Sequence, residues 1–152
     1  YGSQTGLTAT GNQQFNQNIW EVGVGDNAED RDYFGEALST GDFNGDSYQD
    51  LVVTVLGEDR DEINNVGAFH VLFGSATGLT SSASQFISQS DLGDNGYADN
   101  DRFGETVTTG DFNMDGYDDI AMGAPGKTVN AKEDAGARRS TVFLFRGMDE
   151  RF

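Results

Sequence analysis

Asp42-Phe43-Asn44-Gly45-Asp46-Ser47-Tyr48-Gln49-Asp50 and Asp111-Phe112-Asn113-Met114-Asp115-Gly116-Tyr117-Asp118-Asp119 are two acidic nonapeptides of one design, 69 positions apart (111 against 42). Each places oxygen-bearing side chains at its positions 1, 3, 5 and 9. Each runs directly into an apolar segment, Leu51-Val52-Val53-Thr54-Val55 after the first and Ile120-Ala121-Met122-Gly123-Ala124 after the second. Ligands alternating along a turning backbone are how a short loop wraps a hard cation. The duplication, with its strand-like sequel, points to a repeat architecture.

The self-similarity reaches well beyond the loops. Tyr33-Phe34-Gly35-Glu36 returns as Arg102-Phe103-Gly104-Glu105, and Ser39-Thr40-Gly41 as Thr108-Thr109-Gly110, both again 69 apart. Tyr1-Gly2-Ser3-Gln4-Thr5-Gly6-Leu7-Thr8 is echoed by Phe73-Gly74-Ser75-Ala76-Thr77-Gly78-Leu79-Thr80, and Gln14-Phe15 by Gln85-Phe86. The order is kept and the offset drifts by only a few residues, as loop insertions produce. This divides the single repeat region 1–152 into repeat 1, about 1–73, and repeat 2, about 74–147.

β-Branched and aromatic residues bounded by Gly, Asn, Asp and Ser predict four short strands in each copy. In the first these are about Gln13 to Ile19, Phe34 to Thr40, Leu51 to Leu56 and Ala68 to Phe73. In the second they are about Ser84 to Ser88, Phe103 to Thr109, Asp119 to Gly123 and Ser140 to Phe145. No stretch has a convincing helical period, so the expected class is all-β. Four antiparallel strands at a period near 70 fit β-propeller blades better than sandwich halves.

Composition narrows the partners. The 152 residues hold 26 acidic and 9 basic side chains, a formal net charge of −17. That field repels nucleic acid and anionic membrane surfaces and suits calcium, a high-salt setting or simple solubility. Eleven Phe, five Tyr and one Trp argue against disorder, and 21 Gly against one Pro point to turn-rich β structure. No segment approaches the ~20 apolar residues of a membrane-spanning helix, so no membrane insertion is expected. There is no cysteine to form a disulfide. No signal peptide is apparent, although the chain opens within a motif, where a leader already removed would leave no trace.

The donor chemistry selects the ion. The first loop offers Asp42, Asn44, Asp46, the Tyr48 carbonyl and Asp50; the second offers Asp111, Asn113, Asp115, the Tyr117 carbonyl and Asp119. Hard oxygens favour calcium over zinc or copper, and magnesium ranks second because it demands stricter octahedral geometry. Neither loop is an EF-hand, whose position 12 needs a bidentate Glu where this chain has Val53 and Met122. A turn rich in Asp and Asn with no metal is the competing reading. Gly116 at position 6 suits a tight loop and Ser47 does not, so the site at Asp111–Asp119 is expected to be the stronger.

Phe-Gly, then Gly-Asp-Phe-Asn-x-Asp-x-x-x-Asp, a strand, then Gly123-Ala124-Pro125 resembles the FG-GAP repeat of integrin α-subunit β-propellers, which also occurs in bacterial secreted and surface proteins. The likeness covers nearly the whole chain as two copies. In the first copy the Gly-Ala-Pro position reads Val55-Leu56-Gly57, a departure from the pattern. The resemblance implies propeller blades, calcium in the loop between a blade's first and second strands, an extracellular or cell-surface setting, and a structural or adhesive role. It implies no catalysis, since function resides in sites carried by a fold. The alternative is a non-catalytic accessory segment of a larger secreted hydrolase.

The order of strands carries a further expectation. Gln13 to Ile19 reads as the last strand of one blade, Phe34 to Ser90 as a complete blade, and Phe103 to Phe145 as three strands of another. The unpaired edges call for a protein partner, either other copies joined head to tail into a ring or filament or the missing blades of the same protein. His70, the only histidine, reads as a solvent-side or blade-interface residue rather than a catalytic base. The acidic loops Asp26 to Asp32 and Asp91 to Asp101 read as solvated. Six of the nine basic residues (Lys127, Lys132, Arg138, Arg139, Arg146 and Arg151) follow Pro125 and read as a charged hairpin. Trp20 reads as blade packing.

Overall fold

The computed structural model describes residues 2–19, 28–93, 96–127 and 141–147. A two-residue hairpin, β1 (Gly2–Ser3) with β2 (Gly6–Leu7), precedes two antiparallel sheets. The first sheet runs β3 (Phe34–Gly41), β4 (Asp50–Val55), β5 (Ala68–Phe73) and β6 (Thr80–Ser88), adjacent in chain order. The second runs β7 (Thr106–Gly110), β8 (Asp119–Ala124) and β9 (Thr141–Phe145). These are a four-stranded and a three-stranded propeller blade, in the phase the sequence predicts. The first sheet cuts across the sequence repeat, because β6 completes the first blade from within repeat 2.

One expected strand is corrected. Residues 13–19 join no ladder among the described residues, and Gln17–Ile19 forms a 3-10 turn instead. Its equivalent 72 positions on is the 3-10 turn Gln89–Leu92 that follows β6. An extended segment becomes a strand only when a neighbour takes its backbone groups. The segment is held against the first blade by side chains instead: Gln13 Nε2 donates to the Leu79 carbonyl (2.7 Å), and Leu79 N–H donates back to Gln13 Oε1 (2.9 Å).

The two blades stack face on face. Val52, Phe69 and Val71 of the first meet Ile120, Met122 and Ala124 of the second around a buried Phe103. Phe103 is the Phe of the second Phe-Gly pair. Its ring lies 5.9 Å from Phe69 in the first blade and 5.0 Å from Phe143 in its own. Burying one Phe contributes up to about 3 kcal/mol, so this ring is a principal plug of the junction. Phe34, its counterpart, packs at 5.7 Å on His70, which is buried between Phe34 and Phe86 and is therefore a packed blade-face residue, not a solvent-side one.

Backbone bonds complete the seam. Phe103 N–H donates to the Val66 carbonyl (3.0 Å) and Arg102 N–H to that of Asn65 (3.1 Å). The same left-handed residues recur before each Phe-Gly: Arg31 and Tyr33 (φ 77° and 54°), then Asn100 and Arg102 (φ 62° and 56°). Strain repeated at equivalent positions marks a designed turn.

The ladder also corrects the alignment of the Gly-Ala-Pro motif. Val55 pairs with Ala68 as Ala124 pairs with Thr141, so the first-copy equivalent is Thr54-Val55-Leu56. The glycines the copies share are the next residues, Gly57 and Gly126, whose N–H groups donate to the carbonyls of Asp32 (2.9 Å) and Asp101 (3.0 Å). A Cβ at Gly57 would lie 1.9 Å from the Arg31 carbonyl oxygen, and one at Gly126 1.8 Å from that of Asn100. Backbone cannot yield as a side chain does, so Gly126→Ala is expected to cost about 3 kcal/mol or more. Gly2→Ala, which meets nothing within 4 Å, is the control with little effect; urea unfolding of both variants is the measurement.

Candidate metal centre

Each nonapeptide links the first strand of a blade to the second, β3 to β4 and β7 to β8, and the two share one hydrogen-bond pattern. Asp46 N–H reaches both Asp42 Oδ1 and Asn44 Oδ1 at 3.0 Å. Asp115 N–H likewise reaches Asp111 Oδ1 at 3.1 Å and Asn113 Oδ1 at 2.9 Å. Position 6 N–H, Ser47 or Gly116, donates to the other oxygen of position 1 at 2.9 and 3.0 Å. Tyr48 and Tyr117 N–H donate to Asp46 and Asp115 Oδ1 at 2.8 and 3.0 Å. Thus positions 1, 3 and 5 are drawn together by the loop's own amides.

Position 9 behaves differently. Asp50 and Asp119 are fully buried at the start of β4 and β8. Asp50 accepts Phe43 N–H (2.9 Å) and Gly74 N–H (2.8 Å); Asp119 accepts Phe112 N–H (3.1 Å) and Gly147 N–H (2.9 Å). The closing carboxylate therefore ties its own loop to the far end of the third strand, a structural duty the spacing alone does not reveal. Burial is the main cause that raises the Asp50 pKa above its ordinary 3.8; the Gly74 and Phe43 amides oppose it, and Asp46 and Asp42 reinforce it.

Among the described residues no three or more His, Cys, Asp or Glu side chains converge into a ready ligand cage. The donor set nonetheless suits a hard cation. Each carboxylate oxygen of Asp42, Asp46 and Asp50 accepts one N–H, and each oxygen of Asp111, Asp115 and Asp119 does the same. An ionised carboxylate has more lone pairs than that, so acceptor capacity remains at every one of these atoms.

The ranking of the loops by Ser47 loses its basis. Both loops take a left-handed residue at positions 4 and 6: Gly45 (φ 73°) and Ser47 (φ 70°) in the first, Met114 (φ 63°) and Gly116 (φ 92°) in the second. Each loop thus holds one glycine and one strained side chain. Position 6 alone favours the second loop, but at position 4 the advantage reverses, because Met114 stands where the first loop has Gly45.

Nor does the loop pattern single out Asp118. Its Oδ2 accepts Asp42 N–H at 2.8 Å, and its own N–H donates to the Asp42 carbonyl at 3.0 Å, joining the second loop to the first. The only signal was an extra Asp where the first copy has Gln49. Phe43, in the cluster between the blades, is buried, and Phe112, its equivalent, is 51% exposed.

The remaining sequence candidates divide. Asp32 and Asp101, closing the acidic loops, are buried rather than solvated. Asp101 Oδ2 accepts from Gln89 Nε2 (3.2 Å), Ala98 N–H (3.0 Å) and Lys127 Nζ (3.3 Å). Lys127 is therefore a buried ion-pair partner and not part of a charged hairpin. Trp20, Lys132, Arg138, Arg139 and Arg151 lie outside the described residues.

Antiparallel blades, one of four strands and one of three among the described residues, with acidic loops between their first two strands define a propeller-repeat protein. The chain belongs to the FG-GAP repeat family, which matches residues 34–72 and 103–139. It is 34% identical over 91 residues to phosphatidylinositol-glycan-specific phospholipase D of Bos taurus, covering 60% of this chain and 11% of that protein. It is 34% identical over 122 residues to integrin alpha-PS2 of Drosophila melanogaster (76% and 8%), and 31% identical over 119 residues to integrin alpha-4 of Xenopus laevis (78% and 10%). The chain thus spans about a tenth of the length of these relatives. Among the described residues, no helix is long and apolar enough to cross a membrane.

Two outcomes follow from the loop geometry. Ser47→Gly and Met114→Gly should each stabilise the fold by about 0.5–1 kcal/mol, the relief of left-handed strain less the added freedom of the unfolded chain; urea titration reads both. In a carbon-detected NMR titration without metal, the Asp50 carboxyl should have its midpoint above 3.8. A raised folded-state value makes this group's contribution to stability complete below 3.8 and progressively lost as pH rises through the raised midpoint.

Proposed function

We propose that this chain is a calcium-stabilised, non-catalytic segment of an extracellular or cell-surface FG-GAP β-propeller with a structural or adhesive role. The observation that carries the reading is the pair of loops, matched bond for bond, whose oxygens keep acceptor capacity around positions 1, 3, 5 and 9. Calcium would be held by Asp42, Asn44, Asp46, the Tyr48 carbonyl and Asp50, and by Asp111, Asn113, Asp115, the Tyr117 carbonyl and Asp119. Its charge would relieve repulsion among the clustered carboxylates and favour the ionised form of buried Asp50. His70, buried between two aromatic rings, is poorly placed to serve as a base.

The second blade supports a protein partner. Among the described residues β9 is an edge strand, with Val142 73% and Leu144 61% exposed. Beside it lies a cleft of about 440 Å³ whose walls include Phe69, Val71, Ile87, Ile120 and Phe145. In this reading an added strand takes that edge and fills the cleft, supplied by another copy head to tail or by further blades of the same protein. The equal identity to a phospholipase D supports a second reading, an accessory segment of a larger secreted hydrolase.

Calcium at a hundredfold excess over its Kd adds about 2.7 kcal/mol per site, or roughly 5–10 °C in Tm. Calorimetry with and without chelator measures it, and Asp46→Ala and Asp115→Ala should each remove one equivalent. No Tm response and no bound calcium would overturn the cation reading. Sedimentation of the chain separates the two modes of completion: self-association supports other copies, and a cooperatively melting monomer excludes them.

A further inference from the structure

We infer that the two cation loops are energetically coupled through Asp118, so that filling one favours filling the other; this rests on the calcium reading above. Asp118 stands between Tyr117, whose carbonyl is a candidate ligand, and Asp119, which closes the second loop. The same residue grips both backbone groups of Asp42, the first ligand of the first loop: Asp42 N–H donates to its Oδ2 (2.8 Å), and its N–H donates to the Asp42 carbonyl (3.0 Å).

The contact is enforced on both sides. A Cβ on Gly45, at position 4 of the first loop, would stand 2.5 Å from Cε1 of Tyr117. The Tyr117 ring therefore lies directly on the first loop's turn. A Cβ on Gly147 would meet Tyr117 Cβ at 2.5 Å, the Asp118 carbonyl at 2.6 Å and the Phe43 carbonyl at 3.2 Å, while Gly147 N–H holds Asp119 Oδ1. Residues 117–119 are a wall common to both loops. A cation that fixes the Tyr117 carbonyl and Asp119 in the second loop fixes Asp118, and with it the backbone from which the Asp42 carboxylate projects. By reciprocity, the first loop acts back on the second to the same extent. The chemistry requires only an acceptor at position 118, not its charge.

Isothermal calorimetry with calcium chloride tests this on the full chain. The wild type should bind two ions cooperatively. Asp115→Ala should weaken the remaining first site by about tenfold relative to its affinity when the second loop is filled, toward the lower end of typical couplings. Asp118→Ala should leave two ions bound with the cooperativity lost, and Asp118→Asn, which keeps an acceptor for Asp42 N–H, should retain it. Two independent sites in the wild type overturn the coupling and leave the calcium reading intact, whether or not Asp118→Ala folds. Cooperativity surviving in a folded Asp118→Ala overturns the role of Asp118. Absence of calcium binding in the wild type overturns the calcium reading, and the coupling with it.

Discussion

The structure depends on two carboxylates placed where a charge is costly. Asp50 and Asp119 have no exposure, yet each begins the second strand of its blade. Burying an ionised carboxylate is tolerable only when donors replace the lost water. Here the donors come from two separated segments, the start of the acidic loop and the exit of the third strand. The blade cannot form its first turn, second strand and third strand independently of one another. Two amides only partly offset desolvation at Asp50, whose pKa stays raised, with Asp46 and Asp42 adding to the penalty. The divalent cation proposed for these loops would favour the ionised form and screen the acidic neighbours together.

From that constraint the repeat gains its rigidity. Left-handed residues recur at positions 69 apart before each Phe-Gly, and a glycine without room for a methyl recurs after each second strand. These features meet where residues 31–32 and 100–101 lie against the glycine that follows each second strand. They fix how the turn before each Phe-Gly meets the end of the second strand, and Phe103 then fixes how the second blade meets the first. Hydrophobic burial supplies the adhesion, and backbone contacts supply the register.

Much of this was legible in the sequence, for one physical reason: periodic features survive translation into structure. The nonapeptides, the strand order and the three described strands of the second sheet all follow from spacing, and β5 falls on the expected residues Ala68–Phe73. What escaped was whatever depends on a neighbour. Gln13 to Ile19 has the composition of a strand, but a ladder needs a second strand beside it. Lys127 looks like surface charge until Asp101 is brought to within 3.3 Å from 26 positions away. Phe43 and Phe112 are identical in sequence context, and only the presence of a following blade makes one buried and the other half-exposed. Asp118 has no meaning within its own loop, because both of its bonds to Asp42 cross to the other blade.

The same comparison explains the uncovered face. Ladder registers make Val142 and Leu144 the equivalents of Phe69 and Val71, since Gly123 pairs with Val142 as Thr54 pairs with Phe69. Phe69 and Val71 are buried because the second blade lies on them; Val142, Leu144 and Phe112 present the corresponding surface with nothing described against it. Exposed apolar patches of this kind are ordinarily interaction surfaces. In this chain the covering chemistry is visible at the other junction: an aromatic ring from the next Phe-Gly, an apolar second strand, and a carboxylate at loop position 8 to grip the backbone of position 1. In the proposed reading, a β-blade bringing those three elements would complete the second junction as the second blade completes the first, and would extend the contact between adjacent acidic loops one blade further.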